Sequence, residues 1–388
     1  MIKFDAKTQI IVSDNLVSDI IPIVEAEQSK NIAVIVDRSV AKHDSVKDLC
    51  NSFTQRGALF QYEVEAIEPT VDLVNEYVSY LRNKNIDLIV GIGGGSIIDL
   101  SKALSVMIVN DGRVEDYHGT GKVFSQGVKK IMVPTTAGTG SEVTPGAVLL
   151  NPKTKFKRAL ASKYVAPDYA VLYPYLTMGM PDNITATTGM DALGHAIESY
   201  TAKCANEITR MYSKEAFRLV YNALPKVFEN KNNLDLRRQV LLGACLAGYA
   251  IYNSCTGACH GISYALGIYN NIPHGLAVAR LLPKVVALNV KKGCTIYSDL
   301  YDLIEGQEKC ASVQEKAERF SALLKDYKPL EKVTKKFKDY KVNKDTLNLL
   351  AERGLDLALV VNNNPVFFGL DDSKSVLARC ISEDEEYV

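Results

Sequence analysis

The sequence has little that would direct it to nucleic acid or to a membrane. Its 45 Lys and Arg residues balance its 45 Asp and Glu residues, so no net charge favours a polyanion or a lipid surface. No apolar run reaches the ~18 residues that a membrane span needs, and Met1-Ile2-Lys3-Phe4-Asp5 lacks the charged-then-apolar order of a signal peptide. We therefore expect a cytoplasmic protein with no nucleic-acid or membrane partner.

The eight cysteines also lack the spacing of a disulfide framework, which suits a reducing compartment. They lie at positions 50, 204, 245, 255, 259, 294, 310 and 380. Cys255-x-x-x-Cys259-His260 fits a soft-metal site, but small buried thiols also commonly line tightly packed helices, and this segment is rich in Gly, Ala and Ser. Both interpretations stay open on the sequence alone.

The pattern of apolar residues predicts two domains, as expected for a chain of 388 residues. Residues 1–180 alternate β-branched runs with amphipathic stretches, which is typical of a parallel sheet covered by helices. The predicted strands are 31–36, 59–64, 86–92 and 131–133, with a helix over 71–84. Residues 181–388 have few β-branched runs, and we predict an all-helical domain there. Its predicted helices are 183–203, 207–227, 234–254, 256–268, 311–326 and 344–362.

A glycine-rich turn follows the third predicted strand. In Gly93-Gly94-Gly95-Ser96-Ile97-Ile98-Asp99, the glycines allow backbone N–H groups to approach an anion, and the start of a helix adds its positive end. The motif is neither Gly-x-Gly-x-x-Gly nor a Walker loop. Ser96 and Asp99 also fit a helix capping box, a structural role that is compatible with a phosphate site.

A loop rich in threonine follows the last predicted strand of this half. The run Pro134-Thr135-Thr136-Ala137-Gly138-Thr139-Gly140-Ser141-Glu142-Val143-Thr144 offers hydroxyl and N–H donors for a second phosphate or ribose contact. A loop without function is the alternative. Asp37, at the end of the first predicted strand, can bind ribose hydroxyls and disfavour a 2′-phosphate, although Arg38 beside it weakens that preference.

The helical half contains a possible metal site. Asp191 and His195 are four residues apart in a helical pattern and therefore share one face. His260 and His274 supply two more imidazoles, and three His with one Asp suit Fe(II) or Zn(II) better than Mg or Ca. The Asp191 and His195 pair alone also fits a surface or capping hydrogen bond. Because the phosphate loops and these residues lie in different halves, we expect the active site in a cleft.

Four segments together are similar to the iron-containing (group III) alcohol dehydrogenase family. They are 93–96, 134–142, 189–198 and 273–277, and they occur in the family's order over nearly the whole chain. The resemblance implies a Rossmann-like NAD(P)-binding domain followed by a helical metal-binding domain, the fold shared with dehydroquinate synthase. It implies one divalent metal on Asp191, His195, His260 and His274. Around the cofactor, with NAD favoured over NADP, it implies Gly94, Gly95, Ser96, Asp99, Thr135, Thr136, Thr139 and Lys157, and we add Asp37 and Thr144.

The activity that this resemblance implies is hydride transfer between the nicotinamide and an aldehyde or alcohol carbon, with the metal polarising the substrate oxygen. A homodimer is also implied. Glu198, on the same helical face as His195, fits either a partner for a metal ligand or a solvent-exposed charge.

Two positions depart from the family pattern. Tyr264 stands where many members have a histidine close to the substrate, so we expect it, with the ligand His274, at the catalytic centre and donating a proton during aldehyde reduction. The Ser263-Tyr264 pair also resembles branches that act on phosphonate or other acidic aldehydes, which favours an anionic substrate. Tyr173 replaces a usual Asp, with no consequence that the sequence reveals.

Three other functions need separate consideration. A dehydroquinate-synthase-like lyase shares the fold, NAD and a metal, but it uses Glu where this chain has Asp191. A sugar-alcohol or sugar-acid dehydrogenase of the same fold is a further alternative. A binding protein without activity would be expected to lose ligands, and all four are present in this sequence.

Overall fold

The computed structural model describes residues 2–65, 68–154, 156–308, 312–340, 342 and 344–381. Cys310 lies outside these residues, and so does Ala311, where one predicted helix begins. Contacts divide the chain into two compact units. We call residues 6–179 the α/β unit, and residues 180–388 together with residues 1–5 the helical unit.

The described part of the α/β unit contains nine strands in two sheets. They are β1 (Gln9–Val12), β2 (Asn31–Asp37), β3 (Ala58–Val64), β4 (Leu88–Gly93), β5 (Gly119–Thr120), β6 (Lys129–Pro134), β7 (Gly146–Asn151), β8 (Phe156–Ala161) and β9 (Tyr169–Leu172). Six of them form a parallel sheet in the order β1-β9-β6-β4-β2-β3, and the other three form a smaller sheet in the order β5-β8-β7. In the smaller sheet, β7 and β8 are antiparallel.

The large sheet is buried on both faces, which explains its continuous apolar strands. Successive side chains of β2 enter different cores because a strand alternates its faces. Ile32 and Val34 pack with helices α1 (Leu16–Ala26) and α2 (Asp44–Thr54). Ala33 and Ile35 pack on the other face with α3 (Val71–Leu81) and α4 (Gly95–Met107).

The four strands predicted from sequence are present as β2, β3, β4 and β6, and the predicted helix 71–84 is α3 followed by a 3-10 turn, Arg82–Lys84. Strands β1, β5, β7, β8 and β9 were not predicted. From β2 the chain moves outward to β3 and then returns to β4 on the other side of β2. The carboxyl ends of β2 and β4 therefore border a topological switch point, where open parallel sheets bind ligands.

The described part of the helical unit contains helices and no strand. They are α5 (Asp182–Thr201), α6 (Glu207–Glu229), α7 (Leu234–Ser254), α8 (Ala258–Asn270), α9 (His274–Lys291), α10 (Ser298–Tyr301), α11 (Val313–Lys325), α12 (Leu330–Phe337), α13 (Leu347–Arg353), α14 (Ala358–Val361) and α15 (Leu370–Ile381). Helix α5 is the most enclosed, with every residue from Gly189 to Thr201 buried.

The predicted helix over 344–362 is wrong. That interval holds a 3-10 turn, Lys344–Thr346, and then the separate helices α13 and α14. A Cβ at Gly354, between them, would lie 3.2 Å from the Cα of Ile262, so the chain needs a glycine where it turns against α8. Helices α9, α10, α12 and α15 were not predicted.

No single helix among the described residues is both long enough and apolar enough to cross a membrane. Helices α7 and α8 satisfy the length and composition criteria only as a pair, and the chain bends by 102° between them.

Candidate functional site

Helix α5 brings two predicted metal ligands into the interior of the helical unit. Asp191 and His195 lie one turn apart and are 2% and 5% exposed. The glycine between them lets neighbouring helices approach, because a Cβ at Gly194 would lie 2.9 Å from Val278 Cγ1 and 3.3 Å from His260 Cε1. The small residues of this motif thus place α5 directly against the imidazole of His260.

Ligand atoms of Asp191, His195 and His260 all lie within 4.8 Å of one another. The rings of His195 and His260 stack with their centroids 4.5 Å apart. His274, at the start of α9, is more open, and its Nε2 lies 3.6 Å from Asp191 Oδ1. The structure therefore brings the four predicted ligands together, from α5, α8 and α9.

Two buried polar atoms in this cluster have no hydrogen-bond partner: Asp191 Oδ1 and His260 Nε2. They are 3.5 Å apart without a hydrogen bond between them. Unpaired buried polar atoms cost free energy, so such atoms usually have an unseen partner. A divalent cation would satisfy both, and imidazole nitrogens with a carboxylate oxygen are ligands that Fe(II) and Zn(II) accept. The residues present fit a metal ion.

The charges around these atoms favour a cation. Burial alone would raise the pKa of Asp191, but the imidazoles of His195 and His274 outweigh it and hold that pKa well below its usual range. Burial alone would lower the pKa of His260, but Glu198 and Asp191 raise it to about 9. Carboxylates that favour a proton on His260 equally favour a metal cation, which competes with protons for its ligands.

Glu198 is buried, so the exposed-charge interpretation of this residue is wrong. Its Oε2 lies 2.5 Å from His260 Nδ1, and its Oε1 accepts a hydrogen bond of 2.7 Å from the Cys259 N–H. Burial tends to raise the pKa of this carboxyl, but His260 outweighs it and lowers that pKa. Glu198 therefore remains a carboxylate that contacts the side of His260 opposite Asp191.

Ser263, which the sequence analysis connected only with the choice of substrate, lies one turn after His260 on α8 and next to a predicted metal ligand. Its hydroxyl donates to the His260 carbonyl at 2.7 Å and lies 3.4 Å from His274 Nδ1. The ring of Tyr264, the predicted proton donor, lies 5.5 Å from that of His274. The short spacing to His260 was the available signal for Ser263.

Cys259 is a buried structural cysteine rather than a metal ligand. It is fully buried, its Sγ donates to the Val278 carbonyl at 3.6 Å, and burial raises its pKa well above the ordinary value. A soft-metal site needs a thiolate, so the alternative based on Cys255 and Cys259 finds no support here.

In the α/β unit, the glycine turn and the threonine loop are in direct contact. A Cβ at Gly94 would lie 3.3 Å from the side chain of Thr136, and one at Gly95 would lie 2.7 Å from Thr139 Cγ2. The N–H of Thr135 donates to the Gly93 carbonyl at 3.0 Å. A side chain at residue 95 would overlap Thr139 unless one of them shifted, and the start of α4 beside this contact suits a phosphate.

The capping box expected for Ser96 and Asp99 is wrong. The N-cap of α4 is Gly94, with no capping side chain. Asp99 instead accepts hydrogen bonds from the Ser141 hydroxyl and from the Val148 N–H, the latter at 2.9 Å. Its carboxylate therefore connects α4 to the threonine loop at Ser141 and to β7 at Val148, and leaves the first N–H groups of α4 without a side-chain cap.

Lys102, which the sequence reasoning missed, adds to this connection. It is completely buried, its Nζ lies 2.9 Å from Asp99 Oδ1, and it donates to the Ser141 carbonyl at 3.0 Å and to the Gly146 carbonyl. Its position three residues after Asp99 was the only signal. The buried ion pair of Lys102 and Asp99 therefore connects α4, which begins at the glycine turn, to the threonine loop.

The remaining predicted cofactor residues have partners within the α/β unit. Asp37 accepts a hydrogen bond of 2.9 Å from the Ser39 N–H at the end of β2. Thr144 lies 3.5 Å from the Ser141 carbonyl, and Lys157 on β8 forms a 2.5 Å ion pair with Glu68.

Tyr173, the second departure from the family pattern, is buried. Its hydroxyl forms a 2.9 Å hydrogen bond with Ser45, so it packs β9 against α2.

Comparison with known proteins agrees with this architecture. A family model described as iron-containing alcohol dehydrogenase matches residues 7–174, and one described as the C-terminal part of the Fe-containing alcohol dehydrogenase family matches residues 185–380. The sulfoacetaldehyde reductase of Bilophila wadsworthia is 31% identical over 335 residues, or 86% of this chain and 87% of that protein.

Solved structures extend the similarity over nearly the whole fold. A 1,3-propanediol oxidoreductase superposes with a TM-score of 0.90 at 26% identity, covering 98% of this chain and 100% of that one. The sulfoacetaldehyde reductase of Bifidobacterium kashiwanohense, solved with NAD+, gives 0.87 at 25% identity, covering 99% and 100%. These similarities, together with a Rossmann-like α/β unit and a helical unit that holds a cluster of possible metal ligands, place the chain among the NAD-linked, metal-dependent oxidoreductases.

The chain belongs to the iron-containing alcohol dehydrogenase family. It is an alcohol dehydrogenase or aldehyde reductase, as its relatives are.

Proposed function

We propose that Asp191, His195, His260 and His274 hold one divalent metal ion, Fe(II) or Zn(II), and that this centre reduces a small, anionic aldehyde. The observation that carries the proposal is the pair of buried, unpartnered atoms, Asp191 Oδ1 and His260 Nε2, inside a cluster of three imidazoles. When bound, such an ion acts as a Lewis acid that stabilises negative charge developing on the substrate oxygen.

The glycine turn and the threonine loop bind the nicotinamide cofactor, which donates the hydride. The turn at Gly94 and Gly95 presents the uncapped N–H groups of α4 to the pyrophosphate, and Thr136 and Thr139 add hydroxyl donors beside it. We assign the cofactor to Asp37, Gly94, Gly95, Ser96, Asp99, Thr135, Thr136, Thr139, Thr144 and Lys157. Asp37 favours NAD over NADP, because a buried carboxylate at the end of β2 disfavours a 2′-phosphate.

Tyr264 is the residue we assign to proton delivery. Its ring lies beside that of the ligand His274. In aldehyde reduction the carbonyl carbon accepts hydride from the nicotinamide, and the oxygen then needs a proton. A tyrosine hydroxyl with an ordinary pKa of about 10 is a donor rather than a base at neutral pH.

Similarity to two sulfoacetaldehyde reductases supports an anionic aldehyde as substrate, and so does the Ser263-Tyr264 pair on α8. We further propose a homodimer, on the basis of the family resemblance, and a cytoplasmic location, on the basis of the sequence pattern described above. Light scattering on the eluted peak of a gel-filtration column would measure the mass in solution, and a monomer would contradict the homodimer.

The test is an assay on metal-free protein reconstituted with Fe(II) or Zn(II). NADH and NADPH absorbance is followed with sulfoacetaldehyde, phosphonoacetaldehyde, acetaldehyde and propionaldehyde. We expect oxidation of NADH in preference to NADPH, with a higher kcat/KM for the two anionic aldehydes. Equal kcat/KM for the neutral aldehydes would refute the substrate class, and no turnover with any carbonyl despite bound metal would refute the proposed reaction.

A further inference from the structure

We propose that Glu198 is a positioning residue that fixes the metal-binding tautomer of His260 and, with the same carboxylate, caps the helix that carries it. The inference rests on the proposed metal centre and assigns a role to a residue outside the ligand set. It starts from the contacts of the two carboxylate oxygens, which lie in the interior of the helical unit.

The two oxygens have separate partners. Oε1 accepts the Cys259 N–H at 2.7 Å, while Oε2 lies 2.5 Å from His260 Nδ1 and 3.4 Å from the His260 N–H. A carboxylate has no proton to donate, so Nδ1 must carry the hydrogen in this contact. In the neutral imidazole the other nitrogen, Nε2, is then left with its lone pair, the form that a metal requires.

His260 Nε2 also faces the position proposed for the metal ion. His260 Nε2 is buried without a hydrogen bond, 3.5 Å from Asp191 Oδ1. A lone pair directed at a carboxylate oxygen is unfavourable unless a proton or a metal cation lies between them, and the two compete for this position. Glu198 on one side of the ring and Asp191 on the other thus define both the orientation of His260 and the position of its ligand atom.

Helix α8 depends on Glu198 for a second reason. Its N-cap is Gly257, which has no side chain to accept hydrogen bonds, and the first N–H groups of a helix lack intrahelical partners. Cys259 and His260 are the second and third residues of α8, and Glu198 of α5 accepts their N–H groups. A carboxylate at this end of a helix is also favoured by the helix dipole.

The turn before α8 has a conformation that makes room for this carboxylate. A Cβ at Gly257 would lie 3.0 Å from Glu198 Oε1, and Cys255 adopts a positive φ of 60°, which is uncommon for a residue other than glycine. The turn thus has an uncommon conformation at Cys255, and the glycine at 257 leaves the space in which Glu198 contacts both the helix end and the imidazole.

Glu198→Gln tests the proposal because an amide cannot replace both contacts. If its oxygen faces the Cys259 N–H, its NH2 faces Nδ1, which places the proton on Nε2 and blocks the metal. If the amide is reversed, its NH2 meets the Cys259 N–H, donor against donor. We expect the affinity for Zn(II), measured on metal-free protein by competition with a chelator, to fall about 10–100-fold. We also expect the visible spectrum of the Co(II)-substituted protein to change, because its ligand set changes.

The matched control is Asn233→Ala. Asn233 caps α7 by accepting the Leu236 N–H at 3.1 Å, and it lies in the same unit without belonging to the metal cluster. Its loss removes a helix cap of the same kind, so a purely structural role predicts equal effects in both variants. We expect Asn233→Ala to keep wild-type Zn(II) affinity and the wild-type Co(II) spectrum.

The possible results distinguish a failure of the role of Glu198 from a failure of the proposed metal centre. Wild-type protein that binds no Zn(II) would refute the metal centre itself. If the wild type binds but Glu198→Gln binds equally well, or if both variants lose the same affinity, the role of Glu198 is refuted. Should Glu198→Gln not fold, Glu198→Asp gives the same test: the shorter carboxylate is withdrawn from Nδ1, and undiminished Zn(II) affinity would overturn the proposal.

Discussion

Polar residues that are buried away from water are the ones that best indicate the functional site from the sequence. Asp191, His195 and His260 are recognisable from sequence because an acid and imidazoles inside apolar helices need partners. The contacts that orient these side chains are harder to predict from the sequence. Glu198 is separated from His260 by 62 positions, so no local spacing connects the two, and only the packing of α5 against α8 shows their relation.

Lys130 provides a prediction at a distance from the metal cluster. Its Nζ is buried without a hydrogen bond, 3.6 Å from Asp168. Burial lowers its pKa to about 8 although Asp168 opposes this change. The unfolded chain, with a lysine pKa near 10.5, binds more protons between these values, so the free energy of unfolding rises with pH from about 8 to about 10.5. It falls again as the pH drops from about 10.5 to about 8, and below 8 Lys130 causes no further change because both states are protonated.

We expect Lys130→Met to be more stable than wild type at pH 7, because Asp168 keeps Lys7 at 3.2 Å. This advantage should shrink by about 3 kcal/mol as the pH rises from 8 to 10.5. Urea unfolding at several pH values measures it. Lys129→Met, at a more exposed position that pairs with Glu27, should show a flat difference. A flat profile for Lys130→Met as well would contradict the account.

Tyr264 carries the second prediction at this scale. If its hydroxyl delivers the proton, Tyr264→Phe should lower kcat for aldehyde reduction about 100-fold, with little change in KM. Tyr269→Phe, at an exposed position on the same helix, is the matched control and should keep full activity. Unchanged kcat in Tyr264→Phe would remove this residue from the catalytic centre.

Among the elements, sequence reasoning succeeded where a local pattern determines the structure. Strands β2, β4 and β6 are buried on both faces and appear in the sequence as β-branched runs. The turn after β4 was predicted from its consecutive glycines. Sequence reasoning failed where packing decides. Helix α9 includes Pro283, which usually interrupts a helix, and the pattern over 344–362 is divided by the close approach of Gly354 to α8.

The contact between the glycine turn and the threonine loop can be tested as one unit. Gly95→Ala places a Cβ 2.7 Å from Thr139 Cγ2, and overpacking of this kind costs about 1–3 kcal/mol. We expect NADH affinity to fall about tenfold, measured by quenching or enhancement of NADH fluorescence. Thr139→Ser in that background removes the clashing methyl and should restore part of the loss.

Gly179→Ala serves as the control, because a Cβ there would meet nothing within 4 Å. It should bind NADH as the wild type does. If Gly95→Ala also keeps full affinity, the turn is not the cofactor site that we propose.

For the whole molecule, the two units should respond to different ligands. A metal bound at α5, α8 and α9 stabilises the conformation that holds it, by about 3 kcal/mol at a metal concentration 100 times the Kd. Removing it should speed hydrogen exchange in those three helices and leave β2, β4 and β6 unchanged. NADH should instead protect residues 93–97 and 135–141. Uniform changes in both units would contradict separate binding sites.

The proposed enzyme depends above all on one metal ion bound by side chains of α5, α8 and α9. Crystals of protein loaded with Zn(II), with diffraction data collected on both sides of the zinc absorption edge, would locate that ion. We predict one strong anomalous peak per chain, about 2.0–2.2 Å from an oxygen of Asp191 and from one nitrogen each of His195, His260 and His274. No peak at that position, or a peak held by other residues, would contradict the account.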